Sequence, residues 1–194
     1  MRYILYLLIT SVIAIACQSK KEVAENHEHH APAVQPEADT VKKSLPQETH
    51  AMIGDAHITI NYTAPVVKGR VIWGGLVPYN EVWVTGAHRA TSFEINKSFS
   101  MDGKTIPAGK YAIFTIPGEE SWTFIVNKNW DQHLADDYTP SEDVIRMTII
   151  PERLDQNQER LSYSIEANSV NEGVLYVRWE KVQLAVPILV AQNQ

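Results

Sequence analysis

Cysteine is nearly absent from this chain: the single Cys17 closes an N-terminal apolar run. A disulfide framework within the chain is therefore excluded, and whatever folds must rest on a hydrophobic core. A basic surplus is missing too. With 17 Lys and Arg against 23 Asp and Glu, the formal net charge is −6, opposite in sign to a nucleic-acid-binding surface. There is no Gly-x-Ser-x-Gly elbow, no His-Glu-x-x-His pair and no glycine-rich phosphate loop. Those gaps remove the enzyme classes that show themselves in a local motif. Any active site must be assembled from separate strands.

The chain begins MRYILYLLITSVIAIAC, one arginine followed by an apolar run from Ile4 to Ala16. A spanning helix needs about 20 apolar residues, and this run stops short at the polar stretch Gln18 to Lys21. Residues 1–16 are read as a secretory signal peptide. Ala14 and Ala16 stand three and one positions before Cys17, the spacing of a lipoprotein cleavage site, so Cys17 is expected to become the acylated first residue of the mature chain. The competing reading is an ordinary signal peptide that leaves a spare thiol. Acyl chains contribute about 0.8 kcal/mol per buried methylene, so two or three would hold the protein to a bilayer. The expected location is the outer membrane, facing the periplasm or the cell surface.

Residues 17–50 then lack aromatics and mix prolines with charges of both signs. Such a stretch cannot bury enough apolar surface to offset its ordering entropy and is expected to be a flexible tether. As a random coil it would keep its ends about 30 Å apart. Within it, His27, His29 and His30 flank Glu28. Clustered imidazoles attract zinc, copper or nickel, but without folded support they would bind weakly and with little discrimination. Beyond this weak transition-metal capture, no cofactor is expected.

From residue 51 to 194 the pattern changes to period two. Ile58, Ile60 and Tyr62 alternate with His57, Thr59 and Asn61, as in a half-buried strand. The same alternation runs through 90–95, 110–116, 122–127, 144–150, 160–167, 174–179 and 182–188, and a further short strand is read at EVWV, 81–84. Turn signals separate these runs: Asp102-Gly103, Pro107-Ala108-Gly109, Pro117-Gly118 and Asn171-Glu172-Gly173. Only Asn129 to Leu134 has the look of a helical turn. Short β-branched and aromatic strands at such spacing predict one all-β domain, a two-sheet antiparallel β-sandwich with jelly-roll-like or immunoglobulin-like wiring. No internal repeat is present.

At this level the residues become recognisable. The stretch from PVVKGRVIWGG through VWVTGAHRAT and IPAGKYAIFTIPG to FIVNKNW resembles the family known as domain of unknown function 2911, found mainly in Bacteroidota. DYTPSEDVIRM at 137–147, ERLSYSIE at 159–166 and VRWEKVQLAVPI at 177–188 extend the resemblance over nearly the whole domain. It implies the fold class but brings no established activity. The chain departs from the family pattern at Val84, where arginine is usual, at His88 and Arg89, where Asn-Glu is usual, and at His133, where tryptophan is frequent. The resemblance implies that a ligand site at 88–89 has here changed from acidic to basic.

Candidate sites concentrate in GGLVPYNEVWVTGAHRAT, 74–91. Three glycines and Pro78 turn the backbone sharply there. One reading is a corner whose aromatics plug the end of the sandwich. The other is a ligand cleft with Trp73 or Trp83 as a stacking wall and Arg70, His88 and Arg89 as polar anchors, since binding sites mix apolar walls with a few fixed polar groups. Catalysis would need His88 to act as a base oriented by Glu81 or Asp143. His57, His88 and His133 would form a metal site only if the fold gathered them. The acidic loop DDYTPSED, 136–143, lacks EF-hand spacing and reads as solvated, with an Asp143–Arg146 pair tying it to its strand. The leading expectation is a non-catalytic binding module for a small molecule, a glycan or another envelope protein. An enzyme using His88 and metal handling by the tether histidines are the alternatives. The expected partners are the bilayer and that ligand, with no nucleic acid.

Overall fold

The computed structural model describes residues 43–191. The segment read as a signal peptide, Cys17, and the candidate metal ligands His27, His29 and His30 lie outside these residues. Within them the regular structure is almost entirely strand, with no α-helix. Six strands form one antiparallel sheet: β1 (Leu45–Ile53), β2 (Ala56–Ala64), β3 (Thr91–Ile95), β6 (Gly109–Ile116), β7 (Trp122–Asn127) and β8 (Asp143–Ile149), adjacent in that order. The second sheet runs β5 (Lys104–Ile106), β4 (Phe99–Met101), β10 (Glu172–Val190), β9 (Glu152–Ala167). The predicted two-sheet antiparallel sandwich is therefore present.

Alternation sets the core. Ile58, Ile60, Phe93, Ile95, Ile113, Phe124 and Val126 from the larger sheet meet Leu161, Leu175, Val177, Trp179, Leu184, Val186 and Ile188 from the smaller one. All are buried, and burying each such side chain contributes about 1.5–3 kcal/mol against the entropy of ordering it. Phe93, Phe99 and Tyr111 pack in sequence across the two sheets, tilted and edge-on, with ring centroids 5.4 and 6.2 Å apart. Tyr111 also donates to the Pro107 carbonyl at 2.9 Å, which fastens the turn read at Pro107-Ala108-Gly109.

Several expectations are corrected. Residues 45–50, assigned to the tether by composition, form the first half of β1 and pair with β2 from Leu45↔Ala64 onward. Their polar character fits an edge strand with little of its surface buried. The runs 174–179 and 182–188 belong to one strand, β10, interrupted by register shifts around Glu180, whose φ is +55°. The segment 81–84 is not a strand. It makes a single bridge, Trp83 to Thr115, in the lane that β3 leaves open beside the end of β6. Asn129 to Leu134 is no helical turn either; the only helical piece among the described residues is the 3-10 turn Pro140–Glu142. Its Pro140 pre-sets the backbone for a turn start, which 129–134 lacks.

The larger sheet has two unlike outer halves. On β6 and β7 the outward side chains Ala112, Phe114 and Ile125 are apolar and fully buried under Val84 and Ala90. Val82, Ala135 and Tyr138 complete this second cluster. The covering residues come from two loops, 65–90 and 128–139, which zip together through Leu134 N–H to the His88 carbonyl at 2.9 Å and Ala90 N–H to the Gln132 carbonyl at 3.1 Å. On β1 to β3 the outward positions are His50, His57, Thr59, Asn61, Ser92 and Glu94, and no loop covers them with an apolar cluster.

Candidate functional site

The loop 65–90 builds the corner. Val67, Ile72 and Val77 enter the main core, and Trp73 packs against it. Trp73 lies edge-on to Trp83, Trp122 and Trp179 at centroid distances of 5.7, 4.7 and 5.6 Å, and Trp83 stacks on Trp179 at 5.6 Å. Four indoles thus fill this end of the sandwich and leave a void of only about 10 Å³ among them. Each such pair adds about 0.5–1.5 kcal/mol beyond its area burial. The indole N–H groups of Trp73 and Trp179 are buried without an acceptor among the described residues, whereas Trp83 donates to the Gly86 carbonyl at 2.9 Å.

The backbone after Trp83 is held in an unusual shape. Thr85 and His88 have φ of +51° and +67°, a region that β-branched Thr rarely enters and that typically costs about 1–3 kcal/mol. Thr85 is fixed from several sides. Its carbonyl accepts from the Tyr163 hydroxyl at 2.7 Å and from Thr91 Oγ1 at 3.1 Å, and its own hydroxyl lies 3.1 Å from Thr115 Oγ1. Gly86 is required here, because a Cβ would come within 2.9 Å of Thr91 Oγ1 and 3.3 Å of the Thr63 carbonyl. Burial pushes the Tyr163 hydroxyl well above the ordinary tyrosine pKa, so it stays a donor.

The five residues singled out in the sequence are divided among three places. Arg70, Trp83 and His88 line one cavity of about 320 Å³, with Leu76, Val84, Leu134 and Trp179 supplying much of its apolar wall. Trp73 faces the indole cluster and a shallow cleft beside Glu152, Arg153 and Glu180. Arg89 points the other way, pairs with Asp131, and lines a groove on the outer face of the larger sheet. Arg70 donates from Nε and Nη2 to the Val67 and Val66 carbonyls at 3.1 and 2.5 Å, which ties its guanidinium to the loop.

His88 is exposed, and no hydrogen bond joins its ring to Glu81 or Asp143 among the described residues. Asp143 is committed elsewhere. Its carboxylate accepts from Asn127 Nδ2 at 2.7 Å, Tyr138 Oη at 2.8 Å and Arg146 Nη1 at 2.8 Å, which gives the expected Asp143–Arg146 tie. Burial, then the adjacent Asp143, push the Tyr138 pKa up to about 12. His57 stacks on His50 and His133 pairs with Asp136 at 3.1 Å, so the fold does not gather His57, His88 and His133. No cluster of three or more potential metal ligands occurs among the described residues.

The departures at 84–89 have local accounts. Val84 is buried in the second apolar cluster, where a charge would be costly. His88 occupies a left-handed position, one in which Asn and His are enriched. Arg89 is balanced by Asp131, so the corner gains no net basic charge from it. Sequence reasoning missed Leu76, Leu134 and Tyr163. Their signal was faint: two leucines in loops, and a tyrosine in an alternating strand whose hydroxyl has to find a partner once buried.

No curated protein and no solved structure matches this chain. A family model described as Protein of unknown function (DUF2911) matches residues 44–188. That span takes in every strand of both sheets, all but the last two residues of β10, and the whole of the 65–90 loop, so the chain belongs to the DUF2911 family.

Proposed function

We propose that this domain is a non-catalytic binding module that takes a small molecule with an apolar body and an anionic end into the corner cavity. It would act on the cell envelope, held to the outer membrane through an acylated Cys17. The observation that carries this reading is the meeting of Arg70, Trp83 and His88 in one cavity of about 320 Å³, a size within the range of small-ligand pockets. Trp83, Trp179, Val77 and Val84 offer rigid apolar walls, and the partly exposed Leu76 and Leu134 extend them. Arg70 supplies a cation held in place by two carbonyls. The strained Thr85 supports the same reading, since left-handed non-glycine residues fixed by many bonds concentrate at ligand clamps.

Decanoate is a direct probe. Because Trp83 and Trp179 both line the cavity, its binding should change indole fluorescence in a saturable way. Arg70→Gln should weaken it about tenfold or more by removing the charge, and His88→Asn, which tolerates the left-handed backbone, should weaken it less. Saturable binding that survives Arg70→Gln unchanged, or no fluorescence response at millimolar decanoate, would end this proposal.

A further inference from the structure

A second concave surface lies on the opposite flank of the same loop. Where the bare half of the larger sheet meets loop 128–139, a groove of about 330 Å³ is lined by Trp130, Lys110, Arg89, Asn61, Gln47 and Ser92. Trp130 is the most exposed tryptophan among the described residues, at 39 %. Its ring is nevertheless fixed, because Lys110 Nζ sits 4.1 Å from its centroid, a cation–π contact that holds the indole in one orientation. Strand register brings Asn61 and Ser92 side by side on the sheet floor, with Glu94 and Lys110 one step along. Ser92 is only 6 % exposed, yet its hydroxyl makes no hydrogen bond among the described residues, and it faces the groove. Asn61 and Gln47 likewise keep their side-chain donors and acceptors unused there.

The Ser92 hydroxyl opens on the groove, so its donor and acceptor, like those of Asn61 and Gln47, stand ready for water or for a ligand. We infer that this groove binds an uncharged oligosaccharide, with one sugar ring stacked on Trp130 and its hydroxyls bonded to Ser92, Asn61 and Gln47. A pyranose presents a face of C–H bonds to an aromatic ring and a rim of hydroxyls to amides and alcohols, which is the chemistry assembled here. Charge argues for a neutral sugar. Both cations are already balanced, Arg89 by Asp131 and Lys110 by Glu94 at 3.8 Å, and the chain as a whole carries −6. A groove of about 330 Å³ has room for more than a single sugar ring.

The test uses the mature protein in detergent micelles, titrated with gluco-, manno-, galacto-, xylo- and chito-oligosaccharides of five units. At least one should bind and protect Trp130 from iodide quenching. Trp130→Ala should then weaken that binding about tenfold or more, the loss expected of a central aromatic anchor, and Ser92→Val, which fills the floor, should do the same. Arg70→Gln in the corner cavity should leave saccharide binding unchanged, so this inference and the decanoate reading fail separately. Binding that persists in Trp130→Ala, or no response to any of the five series at about 10 mM, overturns the inference; at that concentration an undetected Kd means less than about 3 kcal/mol of binding energy.

Discussion

The two outer halves of the larger sheet belong to one antiparallel ladder and face the same side, yet one is roofed and the other bare. On β6 and β7 the outward residues Ala112, Phe114 and Ile125 are fully buried beneath loops 65–90 and 128–139. On β2 and β3 the corresponding positions are Asn61, Ser92 and Glu94, and the sheet surface forms the floor of a groove instead. Loop placement follows from this difference. A loop of such length costs chain entropy to order, and it stays down only where apolar side chains reward it. The boundary between the halves, at Arg89 and Trp130, is where a concave surface arises, so the sheet's own alternation decides where a ligand has room.

The roofed half should fail hardest when its centre is removed. Phe114→Ala should destabilise the domain by about 3–5 kcal/mol in urea unfolding, as large-to-small changes in a closed core do. A loss below about 1 kcal/mol would mean that the loops do not depend on this cluster. Next comes the lock on the strained turn. Tyr163→Phe removes one of two donors to the Thr85 carbonyl and should cost about 1–2 kcal/mol, while loosening the Arg70–His88 cavity enough to lower decanoate affinity. An unchanged midpoint would show that Thr91 alone suffices to hold Thr85.

Part of this contrast was legible in the sequence. Tyr111, Ile113 and Thr115 alternate with Ala112, Phe114 and Ile116, so the strand is apolar on both faces, a pattern that demands cover on both sides. HITINY, by comparison, alternates cleanly and predicts a bare outer face. The sandwich, the turns and the crowded corner all follow from period and turn chemistry. The site did not. Arg70, Trp73, Trp83, His88 and Arg89 are close in sequence, but left-handed turns at Asn80, Thr85 and His88 redirect the chain beside β6, with the indoles packed inward and Arg89 on the opposite flank. Local spacing carries no record of that reversal. Strand β1 was hidden for another reason: an edge strand with few buried positions has the composition of a linker.

The roof should also carry a pH dependence, through Tyr138 in loop 128–139. Tyr138 is held neutral in the folded protein, with its pKa pushed up from 10.0 to about 12 by burial and by Asp143. A raised folded pKa means that the contribution is complete below the unfolded value and is lost as pH climbs through the folded one. Stability should therefore decline between about pH 10 and 12, and Tyr138→Phe should flatten part of that decline. Tyr163 and Tyr111, both also raised by burial, should supply the remainder in the variant. A decline of the same slope in Tyr138→Phe would assign the whole effect to other groups.

The smallest effect bears most directly on the groove. Thr91 and Ser92 are neighbours with similar hydroxyls on opposite faces of β3. Thr91 Oγ1 is fully buried in the lock and donates to the Thr85 carbonyl, so Thr91→Val should cost about 0.5–1.5 kcal/mol. Ser92 Oγ has no partner among the described residues and opens on the groove, where water reaches it, so Ser92→Ala should change stability by less than about 0.5 kcal/mol. Measured side by side in urea, the pair reports where each hydroxyl finds its hydrogen bond. Equal losses would mean that Ser92 is satisfied within the protein, and the sugar contact assigned to its hydroxyl would fall, leaving only Asn61 and Gln47.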